Sequence, residues 1–269
     1  MSLKHPALLL VGGGRMGSAL LAGWRAQGLS ELVVIDPAPS AQMLAGDGVT
    51  VVASPENLPT SFQPATIILA VKPQMAEACL PAYAHFAQTA LFLSIMAGKT
   101  TQGLSQLLGG AQAIVRAMPN TPSAVRQGMS VAYAKPNLQA AHKELATQLL
   151  SAVGEVAWVE DEALLDPVTA ISGGGPAYVF LLTELLEQAG LDQGLPADLA
   201  RNLARQTIIG SAALLSTSSE SAAALRMAVT SPGGTTAEAL NLLRADDAWP
   251  KTFKLAIEAA TQRSRVLST

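Results

Sequence analysis

The sequence predicts an α/β domain over residues 1–160 followed by an all-helical domain over residues 161–269. Apolar strand-like runs alternate with helix-compatible segments through the first half, which is typical of a parallel sheet wound with helices. After Asp161 the strand signals vanish, and helical segments separated by glycine and proline continue to the end. A chain of 269 residues is long enough for two domains of ordinary size.

A glycine-rich turn follows the first predicted strand, the apolar run at residues 7–11. It fits Gly-x-Gly-x-x-Gly with Gly12, Gly14 and Gly17, and Arg15 and Met16 fill the last two variable positions. A helix over residues 18–27 and a strand over residues 31–36 are predicted next, and Asp36 ends that strand about 20 residues after the last glycine. This order predicts a Rossmann-type dinucleotide-binding domain.

Asp36 bears on which dinucleotide binds. A carboxylate at the end of the second strand accepts hydrogen bonds from the ribose 2′-hydroxyl and repels a 2′-phosphate. None of the ten residues after Asp36 is an arginine that would attract such a phosphate. The cofactor is therefore predicted to be NADH or NADPH, with Asp36 favouring NADH.

Four further strands are predicted in the first half, three over residues 66–71, 90–95 and 113–118 and a last, alternating run over residues 155–159. The first three lead into short glycine- or proline-containing loops, at residues 72–74, 96–98 and 119–122. The carboxyl ends of parallel strands meet at one edge of a sheet, where ligands bind in open α/β folds. We expect these loops at that edge.

The helical half contains a turn that no helix favours, Ser231-Pro232-Gly233-Gly234. A helix must restart after it, at Thr235 or Thr236, with unpaired N–H groups and a partial positive charge at its start. Such a start binds a carboxylate or phosphate. The alternative is an ordinary joint between two helices with a threonine N-cap. The predicted helices are residues 163–190, 199–216, 222–229, 235–245 and 250–267.

Composition excludes several classes of partner. Lys+Arg 17 against Asp+Glu 20 gives a net charge of −3 without a basic cluster, so no nucleic acid partner is predicted. Charged residues make up only 14% of the chain and the mean hydropathy is +0.32, which predicts apolar surface buried between subunits. No apolar run reaches the 18 residues of a membrane span. The single cysteine, Cys79, favours a reducing compartment, and we predict a cytoplasmic protein without a metal site.

The helical half lacks the general bases that alcohol oxidation requires. No histidine follows His142, and no lysine lies between Lys143 and Lys251. Reduction of a C=N bond is less demanding, because a protonated imine is already electrophilic and needs only hydride and a mild hydroxyl donor. The hydroxyls of Ser231, Thr235 and Thr236 could serve.

Motifs along nearly the whole chain resemble those of the pyrroline-5-carboxylate reductase family, which catalyses the last step of proline synthesis. The two most specific are Asp166-Pro-Val-Thr-Ala-Ile-Ser-Gly-Gly-Gly-Pro-Ala-Tyr178 and Val229-Thr-Ser-Pro-Gly-Gly-Thr-Thr236. Others are the glycine loop at residues 12–17, Ala70-Val-Lys-Pro-Gln74, Met96-Ala-Gly98 and Arg116-Ala-Met-Pro-Asn-Thr-Pro122.

The resemblance implies reduction of 1-pyrroline-5-carboxylate to L-proline by hydride transfer to C5. It implies a homodimer that exchanges helices, with dimers assembled into a larger ring. The substrate carboxylate is expected on the loop that contains Ser231, Gly233, Gly234, Thr235 and Thr236. Thr236 is expected to act as the catalytic residue at the ring nitrogen.

The resemblance also implies cofactor contacts in the first half. Asn57 is expected on the adenosine side, and Asn120 is expected near the nicotinamide and the substrate. The dinucleotide is expected to be flanked by Val71, Lys72, Pro73, Ala97 and Gly98. Two residues depart from the family pattern: Gly174 replaces a serine, and Asp36 replaces the small polar residue of members that favour NADPH.

Two alternatives remain at this stage. A 3-hydroxyacid or 6-phosphogluconate type of dehydrogenase shares the domain order, but it places a lysine on the helix between the domains, and this chain has none there. A cofactor sensor or scaffold without catalysis would not need the Ser-Pro-Gly-Gly-Thr-Thr loop.

Overall fold

A computed structural model describes residues 6–46 and 48–268. The outer limits of the two predicted domains, residues 1 and 269, lie outside this range. Within it the first half contains a single sheet, and the predicted α/β and helical halves are confirmed. The strands are β1 Leu8–Val11, β2 Leu32–Ile35, β3 Val49–Val52, β4 Thr66–Leu69, β5 Leu91–Ser94, β6 Ile114–Met118, β7 Gly128–Ala134 and β8 Gly154–Val159.

The strand order in the sheet is β3-β2-β1-β4-β5-β6-β7-β8. Strands β1 to β6 pair in parallel, β7 runs antiparallel to β6, and β8 runs parallel to β7. In the register Val11 lies opposite Ile35 and Leu69, so the glycine turn, Asp36 and the loop after β4 emerge side by side. This is the edge at which a ligand was predicted.

The α-helices are α1 Arg15–Ala26, α2 Ala76–Cys79, α3 Thr101–Leu107, α4 Ala140–Ser151, α5 Leu165–Val168, α6 Gly175–Asp192, α7 Ala197–Thr217, α8 Ala222–Ala228, α9 Thr235–Leu243 and α10 Trp249–Leu267. A π-helical turn, Thr169–Gly173, joins α5 to α6. Short 3-10 helices cover Pro39–Leu44, Pro55–Asn57, Pro73–Met75, Leu80–Phe86, Thr121–Val125 and Glu162–Leu164. No helix in the described part of the chain is long and apolar enough to cross a membrane.

Side chains of the central strands are buried on both faces of the sheet. Leu8 and Leu10 belong to the cluster packed on α1 and α4, whereas Leu9 and Val11 belong to the cluster on the opposite face. Strands covered on both faces have no solvent-facing positions, so their sequences are continuously apolar. That is why the predicted strands β1, β2, β4, β5 and β6 are confirmed. Strand β8, which was predicted from an alternating run, is also confirmed, although its side chains are half-buried or exposed.

Strands β3 and β7 were not predicted. The side chains of β3 range from buried to exposed, and those of β7 vary between buried and half-buried. Edge and antiparallel strands with this mixed burial lack the continuous apolar signal of the central strands. Helices α3 and α4, which also fall in the first half, were not predicted individually.

The chain forms two compact units that differ in extent from the predicted domains. Unit 1 contains the described residues up to Gly173 together with those from Ala260 onward, and unit 2 is Gly174–Ala259. The sequence prediction placed the boundary at residue 160. Residues beyond it stay with unit 1 because Glu162 bonds to Thr101 and because Asp166 bonds to the end of α10.

Unit 2 has little core of its own. Across the described residues of α6, α8 and α9 no side chain is buried within the single chain. Large apolar side chains are more than half exposed, including Phe180 at 67%, Ile209 at 60% and Leu242 at 76%. Apolar surface of this extent marks an interaction face. It accounts for the low charged fraction of the sequence.

The packing of α1 against α4 on one face of the sheet can be tested at Trp24. It is fully buried on α1, and its Nε1 donates a hydrogen bond of 2.8 Å to the Leu149 carbonyl of α4. We expect Trp24→Phe to lower the free energy of unfolding by about 1–2 kcal/mol, because the buried carbonyl loses its donor. Urea unfolding at fixed protein concentration measures it. A loss below about 0.5 kcal/mol would show that this bond contributes little.

Candidate active site

The glycine turn between β1 and α1 has the shape that a dinucleotide phosphate needs. Gly12 has a φ of +102°, and a Cβ atom added there would lie 2.7 Å from the Ala70 carbonyl oxygen. A Cβ atom on Gly17 would collide with the Gly12 carbonyl oxygen. Both positions therefore require glycine, because the backbone segments approach each other directly.

Gly14 is open rather than crowded. A Cβ atom added there would meet no atom of the described residues within 4 Å, and Gly14 is the N-cap residue of α1. The first N–H groups of α1 are therefore free of a capping side chain, and they can bind a pyrophosphate. The predicted glycine loop fits a dinucleotide.

Asp36 follows β2 and is held by two backbone donors. Its Oδ2 accepts a hydrogen bond of 2.7 Å from the Gly13 N–H, and its Oδ1 accepts one of 2.9 Å from the Ala38 N–H. The carboxylate thus stands beside the glycine loop in a defined orientation. Its negative charge lies where the adenosine ribose binds in folds of this type.

The residues after β3 and β4 lie at the same edge. Ser54 Oγ donates to Asn57 Oδ1 at 2.9 Å, and the Ser54 hydroxyl lowers the pKa of the neighbouring Glu56 carboxyl below its ordinary value. Val71 comes close to Gly12, whereas Lys72 is exposed and precedes a 3-10 turn that begins at Pro73. These positions agree with the predicted cofactor contacts, which themselves stay predictions.

Ala97 and Gly98 lie in the β5–α3 loop, which we define as residues 95–100. Ala97 is exposed, but Gly98 is buried, with a φ of +74°. A Cβ atom on Gly98 would lie 2.5 Å from the Leu267 carbonyl oxygen at the end of α10. Close packing against this backbone therefore accounts for the glycine, and the predicted cofactor contacts of Ala97 and Gly98 stay predictions.

Asn120 uses its side chain to join two other segments. Its Oδ1 accepts a hydrogen bond of 2.9 Å from the Met129 N–H. Its Nδ2 donates to the Ser172 carbonyl at 3.2 Å and to Ser172 Oγ at 3.3 Å. The predicted substrate contact of Asn120 stays a prediction, and in this structure the residue connects β7 with the π-helical turn.

The turn that Asn120 contacts is unusual. π-helical turns are rare and often mark functional segments. A Cβ atom on Gly173 in this turn would lie 2.7 Å from Met118 Cε, so the turn packs closely against the end of β6. Gly174, the departure from the family pattern, has a φ of −80°, which any residue can adopt.

Sequence reasoning missed a buried ionic cluster around Glu162. Its Oε1 accepts from the Thr101 N–H at 2.7 Å and from Arg116 Nη1 at 3.2 Å, and its Oε2 accepts from Thr101 Oγ1 at 2.9 Å. The Arg116 side chain is only 6% exposed. Partial burial, together with the charges of Glu162 and Asp161, raises the pKa of Tyr133. The partners are distant in the sequence, so no local pattern could indicate this cluster.

The loop before α9 forms an open helix start. Gly233 has a φ of +68°, the Gly234 N–H bonds to the Ser231 carbonyl at 3.0 Å, and α9 begins at Thr235. The N-cap residue is Gly234, so the alternative of a threonine N-cap is not what forms. The side chains of Ser231, Thr235 and Thr236 are exposed. Free helical N–H groups and three hydroxyls therefore share one accessible loop, as a carboxylate site requires.

Comparison with known proteins identifies both halves. Residues 162–267 match the model of pyrroline-5-carboxylate reductase dimerisation, and residues 7–98 match that of NADP oxidoreductase, coenzyme F420-dependent. A pyrroline-5-carboxylate reductase of Pseudomonas aeruginosa is 39% identical over 99% of this chain and 98% of its own length.

Solved structures give the same result. A pyrroline-5-carboxylate reductase from Coxiella burnetii superimposes with a TM-score of 0.91 at 32% identity, covering 99% of this chain and 100% of its own. A pyrroline carboxylate reductase from Plasmodium falciparum with NADP bound gives a TM-score of 0.84 at 30% identity, with 100% of both chains covered.

The Glu162 cluster yields a stability prediction. We expect Glu162→Ala to lower the free energy of unfolding by about 3 kcal/mol, because it leaves the buried Arg116 charge without its partner. Glu160→Ala, which removes an exposed carboxylate two residues away, is the matched control and should change stability by less than about 0.5 kcal/mol. Equal effects of the two substitutions in denaturant unfolding would contradict the assigned role of Glu162.

Proposed function

The chain belongs to the pyrroline-5-carboxylate reductase family, and we propose from this that it reduces 1-pyrroline-5-carboxylate to L-proline with NADH or NADPH. The observation that carries the proposal is the open start of α9, whose free N–H groups and hydroxyls suit a small carboxylate. The glycine turn at β1 suits the nucleotide that such a reduction needs.

The nucleotide supplies hydride to C5 of the substrate when it is bound. In the proposal the N–H groups at the start of α1 hold its pyrophosphate, through the opening at Gly14. Asp36 accepts hydrogen bonds from the adenosine ribose, and Asn57 lies on the adenosine side. Val71, Lys72, Pro73 and Ala97 line the remaining path at the sheet edge.

The substrate carboxylate is held at the Ser231–Thr236 loop. The partial positive charge at a helix start attracts an anion, and the loop adds hydroxyl donors from Ser231 and Thr235. Gly233 and Gly234 carry no Cβ atom, so the carboxylate can approach the first N–H groups of α9 closely. Asn120 completes the proposed set of substrate contacts.

Thr236 acts at the ring nitrogen. The C5=N bond is reduced as C5 gains hydride and the nitrogen gains or retains one proton, while the nicotinamide is oxidised. In the protonated imine the carbon is already electrophilic, so a hydroxyl that orients the nitrogen or supplies its proton is sufficient. This assignment explains why the helical half functions without histidine or a nearby lysine.

Self-association completes the proposal. The family match of residues 162–267 to a dimerisation region agrees with the exposed apolar side chains of unit 2. We propose a homodimer that exchanges helices, with dimers assembled into a larger ring. A cytoplasmic location remains a proposal that the single cysteine supports.

The alternative functions are separated by one measurement. A cofactor sensor or scaffold would bind NADH without oxidising it in the presence of 1-pyrroline-5-carboxylate. A hydroxyacid dehydrogenase would oxidise a hydroxyacid with NAD. Absorbance of the reduced nicotinamide, followed with each substrate in turn, distinguishes the three.

Thr236 gives the first functional prediction. We expect Thr236→Ala to lower kcat at least about tenfold, equivalent to about 1.4 kcal/mol of transition-state stabilisation. Thr89→Ala removes an exposed hydroxyl from unit 1 and should leave kcat unchanged. Steady-state rates with saturating nucleotide measure both. Unchanged turnover in Thr236→Ala would remove the residue from the mechanism.

The second functional prediction concerns Asp36 and the choice between NADH and NADPH. Asp36→Asn retains an oxygen that can accept from the Gly13 N–H but removes the negative charge. We expect the ratio of kcat/KM for NADPH to that for NADH to rise about tenfold, because repulsion of the 2′-phosphate is lost. Glu31→Gln, at an exposed carboxylate before β2, is the control for net charge. Equal ratios in the two variants would refute Asp36 as the selecting residue.

A further inference from the structure

The last turn of α10 is attached to α5 through a buried carboxylate. Asp166 is only 8% exposed, and its Oδ1 accepts hydrogen bonds from Ser264 Oγ at 2.7 Å and from Ser268 Oγ at 3.1 Å. Ser264 is itself buried, 8% exposed. The Ser268 hydroxyl also lies 3.1 Å from the Ser264 carbonyl, so its one proton is divided between two acceptors, whereas Ser264 donates to Asp166 alone. The Ser264 bond to a carboxylate is charge-assisted and attaches this helical turn to α5.

The attached turn lies directly on the β5–α3 loop. The Leu267 carbonyl, one residue before Ser268, occupies the place that a side chain on residue 98 would need, 2.5 Å from an added Cβ atom. Gly98 also has a φ of +74°, which disfavours other residues. The backbone of the β5–α3 loop at Gly98 therefore packs directly on the backbone of α10 at Leu267, so a shift of the helix end would require the loop to change its conformation.

The other end of the same loop is held as well. Thr101, the first residue of α3, is bonded through both its N–H and its hydroxyl to Glu162. Thr100 Oγ1 caps α3 by accepting from the Gly103 N–H at 3.1 Å. With α3 held in this way, the end of α10 makes the close contact at the Gly98 part of the loop.

We propose that Asp166 is a positioning residue for nucleotide binding. It holds Ser264 and Ser268, these keep Leu267 against Gly98, and that contact sets the shape of the β5–α3 loop at the ligand edge of the sheet. Asp166 itself touches neither nucleotide nor substrate in this account. The inference rests on the proposed nucleotide contact of the loop. It gives Asp166 and the C-terminal turn a role in nucleotide binding in addition to any role in stability.

The test is a direct nucleotide titration of the full-length protein. We expect the double variant Ser264→Ala/Ser268→Ala to raise the Kd for NADH about fivefold, because the binding-competent loop is less populated. The KM for NADH rises in parallel, whereas kcat at saturating NADH stays within about twofold of the unmodified protein. Fluorescence of bound NADH gives Kd without turnover, at a temperature well below the unfolding transition.

Matched variants separate positioning from stability. Ser151→Ala removes an exposed helical hydroxyl elsewhere in unit 1 and should leave Kd unchanged. Asp166→Asn retains an acceptor oxygen and should bind NADH close to normally, whereas Asp166→Ala should resemble the double serine variant. The serine variants decide the question if Asp166→Ala does not fold.

Each outcome has a distinct meaning. If Tm falls in the double serine variant while the Kd for NADH is unchanged, the attachment only stabilises the fold and the proposal is overturned. If the protein binds NADH but does not reduce 1-pyrroline-5-carboxylate, the proposed function fails. A raised Kd in the serine variants would still support the positioning role in that case.

Discussion

The structure depends on one constraint at the carboxyl edge of the sheet. There the backbones of β1, α1 and β4 approach each other directly. Gly12 lies against the Ala70 carbonyl, and Gly17 lies against Gly12, with no space for side chains. Because β1, α1 and β4 meet in this way, the start of α1 stays open at Gly14 and points its free N–H groups to the ligand edge. A bulkier residue would separate the strand from the helix and close the phosphate site.

The second constraint is the small core of unit 2. Its helices expose large apolar side chains such as Phe180 and Leu242, and apolar surface of this extent marks a face that another surface covers. A family whose matching region is a dimerisation region meets this need with a second copy. The low content of charged residues agrees with self-association through this region.

The proposed imine reduction depends on the free N–H groups at the starts of α1 and α9. Both proposed ligand loops, at Gly14 and at Gly234, use glycine as the N-cap residue, so neither helix start is occupied by a capping side chain. One suits a pyrophosphate and the other a carboxylate. Imine reduction needs little more than these two anion sites and a hydroxyl, which is consistent with a helical half that lacks histidine.

The sequence by itself determined the α/β and helical halves, six of the eight strands, the glycine loop and the restart of a helix at Thr235 or Thr236. These features depend on local physics, namely continuous apolar runs, residues without a Cβ atom and the inability of proline to continue a helix. Tertiary structure decided the rest: strands β3 and β7, the return of α10 to unit 1, and the bonds of Glu162, Asn120 and Asp166. Each joins residues that are far apart in the chain or only partly buried, so the energy that selects it is absent from any local pattern.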